Sequence, residues 1–183
     1  MRHALVALMA CTLAHTASAA SPLPPELPAG SPNQPVDALD LSRYAGTWHE
    51  AARLPMFFQR NCAADTTATY TLRDDGLVDV TNRCTKADGG SLLAEGVART
   101  TDRPAALDVR FAPSWLGWLP FVWADYWVID LDPDYRWAVV GGPGQGALWF
   151  LSRDETIEPA LFERLRQRAE ARGYDLSELV VAD

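Results

Sequence analysis

Between Gly46 and Ser152 the chain is a succession of short segments in which apolar and polar residues alternate, interrupted at close intervals by turn-forming residues. Successive side chains of an extended strand point to opposite faces, so a period of two gives each segment one apolar and one polar face. Ala68, Tyr70 and Leu72 share one parity while Thr67, Thr69 and Thr71 fill the other. Val78 and Val80 alternate with Asp79 and Thr81, and Leu107, Val109 and Phe111 alternate with Asp108 and Arg110. The pattern predicts strands over Gly46–Arg53, Thr66–Leu72, Leu77–Cys84, Leu92–Thr100, Ala106–Phe111, Trp123–Leu131, Trp137–Val140 and Leu148–Ser152. Asp74-Asp75-Gly76, Asp102-Arg103-Pro104 and Asp132-Pro133-Asp134 supply tight turns, and Gly141–Gly146 a looser one. Short connections imply an antiparallel meander, and closing eight strands into a barrel removes both exposed edges. The expected fold is all-β, an eight-stranded antiparallel up-and-down barrel whose interior holds side chains or one small ligand. Thr67, Thr69, Asp79, Asp108 and Arg110 occupy the outward parity, which excludes an integral membrane barrel.

The flanks read differently. Pro159 and Gly173 bracket a helix with Leu161, Leu165 and Ala169 along one side. It is expected to pack outside the barrel, with Arg164, Arg166, Arg168 and Glu170 on its solvated face. Leu179-Val180-Val181 is expected to add a short last strand. At the other end, Met1-Arg2-His3, the apolar run Ala4–Leu13 and the triplet Ala17-Ser18-Ala19 form a secretory leader over residues 1–19, too short to span a bilayer. Leu8-Met9-Ala10-Cys11 offers a second route, in which Cys11 is acylated and anchors the protein; cleavage after Ala19 is the favoured reading. Residues 20–38 are proline-rich with almost nothing to bury and read as an extended linker or arm, which places the folded domain at 39–183. Removing the leader takes Arg2 with it, so 16 basic residues become 15 against 24 acidic ones, and the net charge goes from −8 to −9. That balance argues against a nucleic-acid partner. Cys11 leaves with the leader too, and the remaining pair, Cys62 and Cys84, is expected to form one disulfide in an exported protein.

Three blocks in fixed order carry a family resemblance. Gly46-Thr47-Trp48 opens the first strand as a G-x-W signature. Ala124-Asp125-Tyr126 resembles the T-D-Y block, with Ala in place of Thr, and Leu148-Trp149-Phe150-Leu151-Ser152-Arg153 resembles the block that ends in an arginine before the helix. With Trp48–Pro55 and Tyr126–Asp132, the chain from Leu39 onward is similar to the lipocalin family, in its branch of bacterial lipocalins and apolipoprotein D. The resemblance implies that Gly46, Trp48 and Arg153 close one end of the barrel, with the guanidinium lying over the indole ring. It also implies a fatty acid or lysophospholipid held in the barrel for storage or transport in the bacterial cell envelope, in the periplasm or at the outer membrane.

If the first strand starts at the closed end, the loops Pro55–Ala64, Lys86–Gly90, Ala112–Val122 and Gly141–Gly146 share the open end. The disulfide would then staple the first of these loops to the barrel wall. The mouth is oily: Phe57 and Phe58 beside Met56 in one loop, and Trp115, Leu116, Trp118, Leu119 and Phe121 in another. Three readings stay open: a ligand portal, a surface that meets a membrane or a second copy as a homodimer, and ordinary core. The inward parity nominates Ala68, Tyr70, Val78, Val80, Leu107, Val109, Phe111, Tyr126, Val128 and Trp149 as pocket lining. Glu50 and Asn82 are its polar members, with Glu50 expected near Asn82 or Tyr126.

Catalysis is not expected. His49 is the one histidine left after the leader, and it follows Trp48, so alternation points it away from the interior. The two cysteines are expected to be bonded, and one histidine alone cannot build a typical zinc site. Gly141-Gly142-Pro143-Gly144 lacks the lysine and helix of a phosphate loop. No cofactor is expected; the alternatives are an enzyme on the same barrel or a haem or pigment binder.

Overall fold

The computed structural model describes residues 22–182. The expected leader, its cleavage site and Cys11 lie outside the described residues. A short helix α1 (Leu41–Tyr44) leads into β1 (Gly46–Arg53), β2 (Ala64–Leu72), β3 (Val78–Thr85), β4 (Ser91–Thr100) and β5 (Ala106–Arg110). β6 (Ala124–Leu131), β7 (Trp137–Gly141) and β8 (Trp149–Ser152) complete the meander. Each strand pairs antiparallel with the next, and β1 pairs with both β8 and β2, so the barrel is closed as the alternation implies. Helix α2 (Pro159–Ala171) packs outside, and β9 (Val180–Val181) pairs with Ala52 and Arg53 of β1, past the point where β2 leaves it.

Two apolar clusters share this wall. One fills the lower barrel around Trp48, Tyr70, Val128, Val140 and Leu151. The other lies between the outer wall and α2, around Ile129, Val139, Phe150, Leu165 and Ala169. Simple alternation would not distribute the residues this way. Glu50 faces Leu151 and Ala52 faces Phe150, so Ala51 is an extra residue on β1; Ile129 is likewise extra between Val128 and Asp130. Each bulge shifts the parity of its strand partway along.

The closed end is held by Arg153. Its guanidinium lies 3.8 Å from the centroid of the Trp48 ring. It donates to the carbonyl of Thr47 at 2.8 Å and to those of Arg43, Tyr44 and Ala45 at 2.9, 3.1 and 2.9 Å. The last carbonyls of a helix have no partner within it, and one cation satisfies those of α1. Gly46, at φ +96°, is required here: a Cβ would sit 3.3 Å from an Arg153 nitrogen.

Two expectations about polar residues are corrected. Arg168 is not on a solvated face: it is 8% exposed and donates to Asp130, with Nη2–Oδ1 at 2.9 Å, while Arg172 reaches the same carboxylate at 3.2 Å. The bulge at Ile129 turns Asp130 outward to meet them. Arg110 is also buried, and it donates to the carbonyls of Ala112 and Pro113 beneath the loop that follows β5.

From residue 22 onward the proline-rich segment is held against the barrel and is not a free arm. Prolines lack N–H groups and leave carbonyls to be satisfied, and α2 supplies the donors. Arg164 donates to Pro24 and Arg168 to Pro25, while Gly30 and Val36 donate to the carbonyls of Ala171 and Val128 at 2.9 Å. Pro35 is buried. The strap and α2 therefore hold one another on the barrel.

Asp130→Ala leaves two half-buried or buried guanidinium groups without their carboxylate. Removing one partner of a buried ion pair costs about 3–5 kcal/mol. Urea unfolding should show a loss of that size, and a much smaller one when Arg168→Met accompanies Asp130→Leu.

Candidate functional site

Above the Trp48 layer the barrel interior opens into a cavity of about 190 Å³ that reaches solvent. Its wall combines inward strand residues with loop residues. Of the nominated lining, Ala68, Tyr70, Val80, Val109, Phe111, Tyr126 and Trp149 border it, as do Glu50 and Asn82. Val78 and Leu107 lie lower, around a void of about 10 Å³ beneath the tyrosines, and fully buried Val128 is part of the floor packing; these three do not line the cavity. Gly96 of β4 makes room at the wall, since a Cβ there would stand 2.7 Å from the Phe111 ring.

The periodicity missed other lining residues. Met56 and Gln59 come from the loop after β1 and Ala147 from the one before β8, where no strand parity applies. Thr67, expected outside, borders the cavity together with Thr66 and Ala68, beside the irregularity of β2 between Ala64 and Thr67. Ala124, Asp125, Val140 and Leu151 complete the wall.

Glu50 is buried, but its partners are neither Asn82 nor Tyr126. Arg53 donates to one carboxylate oxygen at 2.6 Å and Gln59 to the other at 2.8 Å. Gln59 in turn accepts from the Trp149 indole N–H at 3.0 Å. This chain ties the first mouth loop to β1 and β8. The Cys62–Cys84 disulfide, with Cα atoms 5.5 Å apart, ties the same loop to β3. Its 22-residue separation corresponds to a stabilisation of about 3 kcal/mol by loop closure.

The floor is polar in a different way. Tyr44 of α1, Tyr70 of β2 and Tyr126 of β6 converge there, and the Tyr126 hydroxyl is 2.7 Å from each of the other two. Burial pushes the Tyr70 hydroxyl up to about 12 and those of Tyr44 and Tyr126 well above the ordinary tyrosine range. All three are neutral at physiological pH.

The rim is aromatic. Phe57, Trp115, Trp118 and Phe121 are 72–80% exposed and project away from the cavity, whereas Phe58 lines it; Leu116 and Leu119 are half-buried. The long loop between β5 and β6 does not collapse. Arg110 stacks 5.1 Å from the Trp123 ring centroid while holding the loop's first carbonyls, and the Trp123 indole N–H donates to Gly117 at 2.9 Å. From Phe111 to Trp123 there is no charged residue. His49 is half-buried in β1 and does not border the cavity.

A closed eight-stranded barrel with one end sealed by an Arg–Trp pair and an apolar cavity at the other defines a small-ligand barrel of the up-and-down class. The chain matches the lipocalin-like domain over residues 39–183 and belongs to that family. It is 40% identical over 148 residues to temperature-induced lipocalin-1 of Arabidopsis thaliana, covering 79% of this chain and 78% of the relative. It is 39% identical to the outer membrane lipoprotein Blc of Escherichia coli K12, covering 79% of each. Among solved structures it resembles the allergen Per a 4 from cockroaches, with a TM-score of 0.64 at 18% identity over 85% of this chain and 94% of that one, which bears on the fold alone.

The buried hydroxyls make stability pH-dependent at the alkaline end. A folded-state pKa raised above the unfolded value of about 10 contributes stability that is constant below pH ~10 and lost as pH rises through the folded value. Stability should therefore be flat on this account up to about pH 10 and fall towards about 12, where Tyr70 ionises. Urea midpoints against pH, with tyrosinate absorbance followed in parallel, check this. The alkaline fall should shrink in a variant with Tyr44, Tyr70 and Tyr126 all changed to Phe.

Proposed function

We propose that the protein is a carrier that holds one single-chain amphiphile, of the fatty acid or lysophospholipid kind, in its barrel for lipid storage or transport in the cell envelope. The observation that carries this reading is the largely apolar-walled cavity that reaches solvent, on a barrel whose mouth loops expose large aromatic side chains. Each methylene transferred from water into such a wall contributes about 0.8 kcal/mol, enough for a chain of modest length to bind tightly. The wall includes the Asp125 carboxylate and no Lys or Arg, with Glu50 already paired to Arg53, which favours a zwitterionic lysophospholipid over a fatty-acid carboxylate. An envelope location is supported by the leader-like start of the chain and by relatives named as outer membrane lipoproteins. Binding rather than catalysis is supported by the position of His49 outside the cavity wall and by the bonding of Cys62 to Cys84. The aromatic rim is the portal: its exposed side chains meet the lipid surface from which the ligand is drawn.

Mass spectrometry of lipids extracted from the purified protein should reveal a bound amphiphile. Lysophosphatidylcholine should quench tryptophan fluorescence, through Trp149 in the wall, at lower concentration than the fatty acid of equal chain length. No extractable lipid and no quenching by either would sink the carrier reading. Changing Trp115, Trp118 and Phe121 to Ser should leave affinity for monomeric lysolipid within about twofold, because exposed positions contribute little to the fold. Uptake from phosphatidylcholine vesicles should slow by about tenfold or more, as a stopped-flow measurement would show. Equal uptake rates would remove the portal from the account.

A further inference from the structure

The tyrosines at the cavity floor do not close their own hydrogen-bond account. Three hydroxyls carry three protons, and two hydrogen bonds join them, Tyr44 to Tyr126 and Tyr126 to Tyr70. Whichever way each bond points, one proton is left without an acceptor among the described residues. If Tyr44 donates to Tyr126 and Tyr126 to Tyr70, the unused proton is on Tyr70. If both outer hydroxyls donate, it is on Tyr126, and if Tyr70 donates to Tyr126 and Tyr126 to Tyr44, it is on Tyr44. Tyr70 and Tyr126 border the cavity, so an acceptor that enters there selects one of the first two arrangements. Asn82 Oδ1, in the same wall, also lacks a partner, so it does not take the proton. A buried donor left unmet costs free energy, and once a bound chain has displaced solvent from the cavity an oxygen on that chain can meet it.

We infer that the floor is a donor subsite, and that the preferred ligand carries a neutral acceptor oxygen (a ketone, ester or ether) on the end of its chain that enters first. This rests on the carrier reading and narrows it: a plain saturated chain would leave the proton unmet. The oxygen is neutral because no Lys or Arg borders the cavity, and an unpaired carboxylate buried at its floor would carry a heavy desolvation penalty. The hydroxyls stay protonated donors throughout the physiological range, since burial raises all three. Solvent reaches the floor through the open cavity until a bound chain displaces it, and the void of about 10 Å³ beneath the tyrosines is at the lower limit for a single water.

The test compares two lysophosphatidylcholines with the same headgroup and chain length, one saturated and one with a carbonyl at the penultimate chain carbon. The protein is the full chain carrying Cys11→Ser, so that no acyl group at that position competes. Wild type should bind the keto-lipid about tenfold more tightly, the effect of one hydrogen bond in a dry site. The ketone's infrared stretching band should shift to lower frequency on binding. Single Tyr→Phe changes are uninformative, because each leaves a spare proton: one after Tyr44→Phe or Tyr70→Phe, and two after Tyr126→Phe. The Tyr44→Phe, Tyr70→Phe, Tyr126→Phe triple variant removes all three hydroxyls and leaves no orphan. It should fold, bind the saturated lipid at least as well as wild type, and lose both the preference and the infrared shift. Equal binding of the two lipids by wild type, or a preference that survives in the triple variant, overturns the donor subsite while leaving the carrier reading intact. Failure of both lipids to bind wild type would overturn both.

Discussion

The barrel depends on one cation placed where the chain has run out of donors. A four-residue helix cannot satisfy its own terminal carbonyls, and α1 ends beside the first residue of the barrel. Arg153, more than a hundred residues later, brings its guanidinium to those carbonyls and lays its face on Trp48. Trp48 in turn donates its indole N–H to Tyr44 at 2.8 Å, so helix, first strand and last strand are tied at one point. With that end sealed, the interior has a floor, and everything above it can be left open for a ligand. Tyr44 is held by the same knot, which is why a hydroxyl from α1 reaches the cavity floor at all.

Much of this was legible in the sequence because strand alternation is a local rule. Trp48, Tyr70, Val80 and Val109 point inward as their parity demands, and the disulfide joins the two cysteines that an even count left over. The misses have physical causes that local periodicity does not encode. Thr67 borders the cavity beside an irregularity in β2, and Asp130 faces α2 because Ile129 is an extra residue. Val78, Leu107 and Val128 have the right parity but the wrong height: the tyrosine layer sits above them. Gln59 and Met56 belong to a loop whose position is set by Glu50 and the disulfide. Arg110 and Arg168 look like surface charge in sequence, and only tertiary structure supplies the carbonyls and the carboxylate that bury them.

The strap illustrates the same limit from the other side. A proline-rich stretch has the composition of a spacer, since it offers few donors and few side chains to bury. Its carbonyls nevertheless remain strong acceptors, and a helix bearing Arg164 and Arg168 on the facing side is a row of donors. Reading only what such a segment lacks overlooks what it can accept.

The two bulges have a broader consequence. The cluster inside the barrel and the cluster under α2 use the same strands, yet they have no side chain in common. Extra residues at Ala51 and Ile129 assign each neighbour wholly to one compartment or the other. Mutational drift in the cavity wall can therefore alter what the barrel accommodates without disturbing how the helix is seated. The wall works as a partition between a ligand chamber and a buttress under α2, so a change of side chain on one of its faces need not be felt on the other.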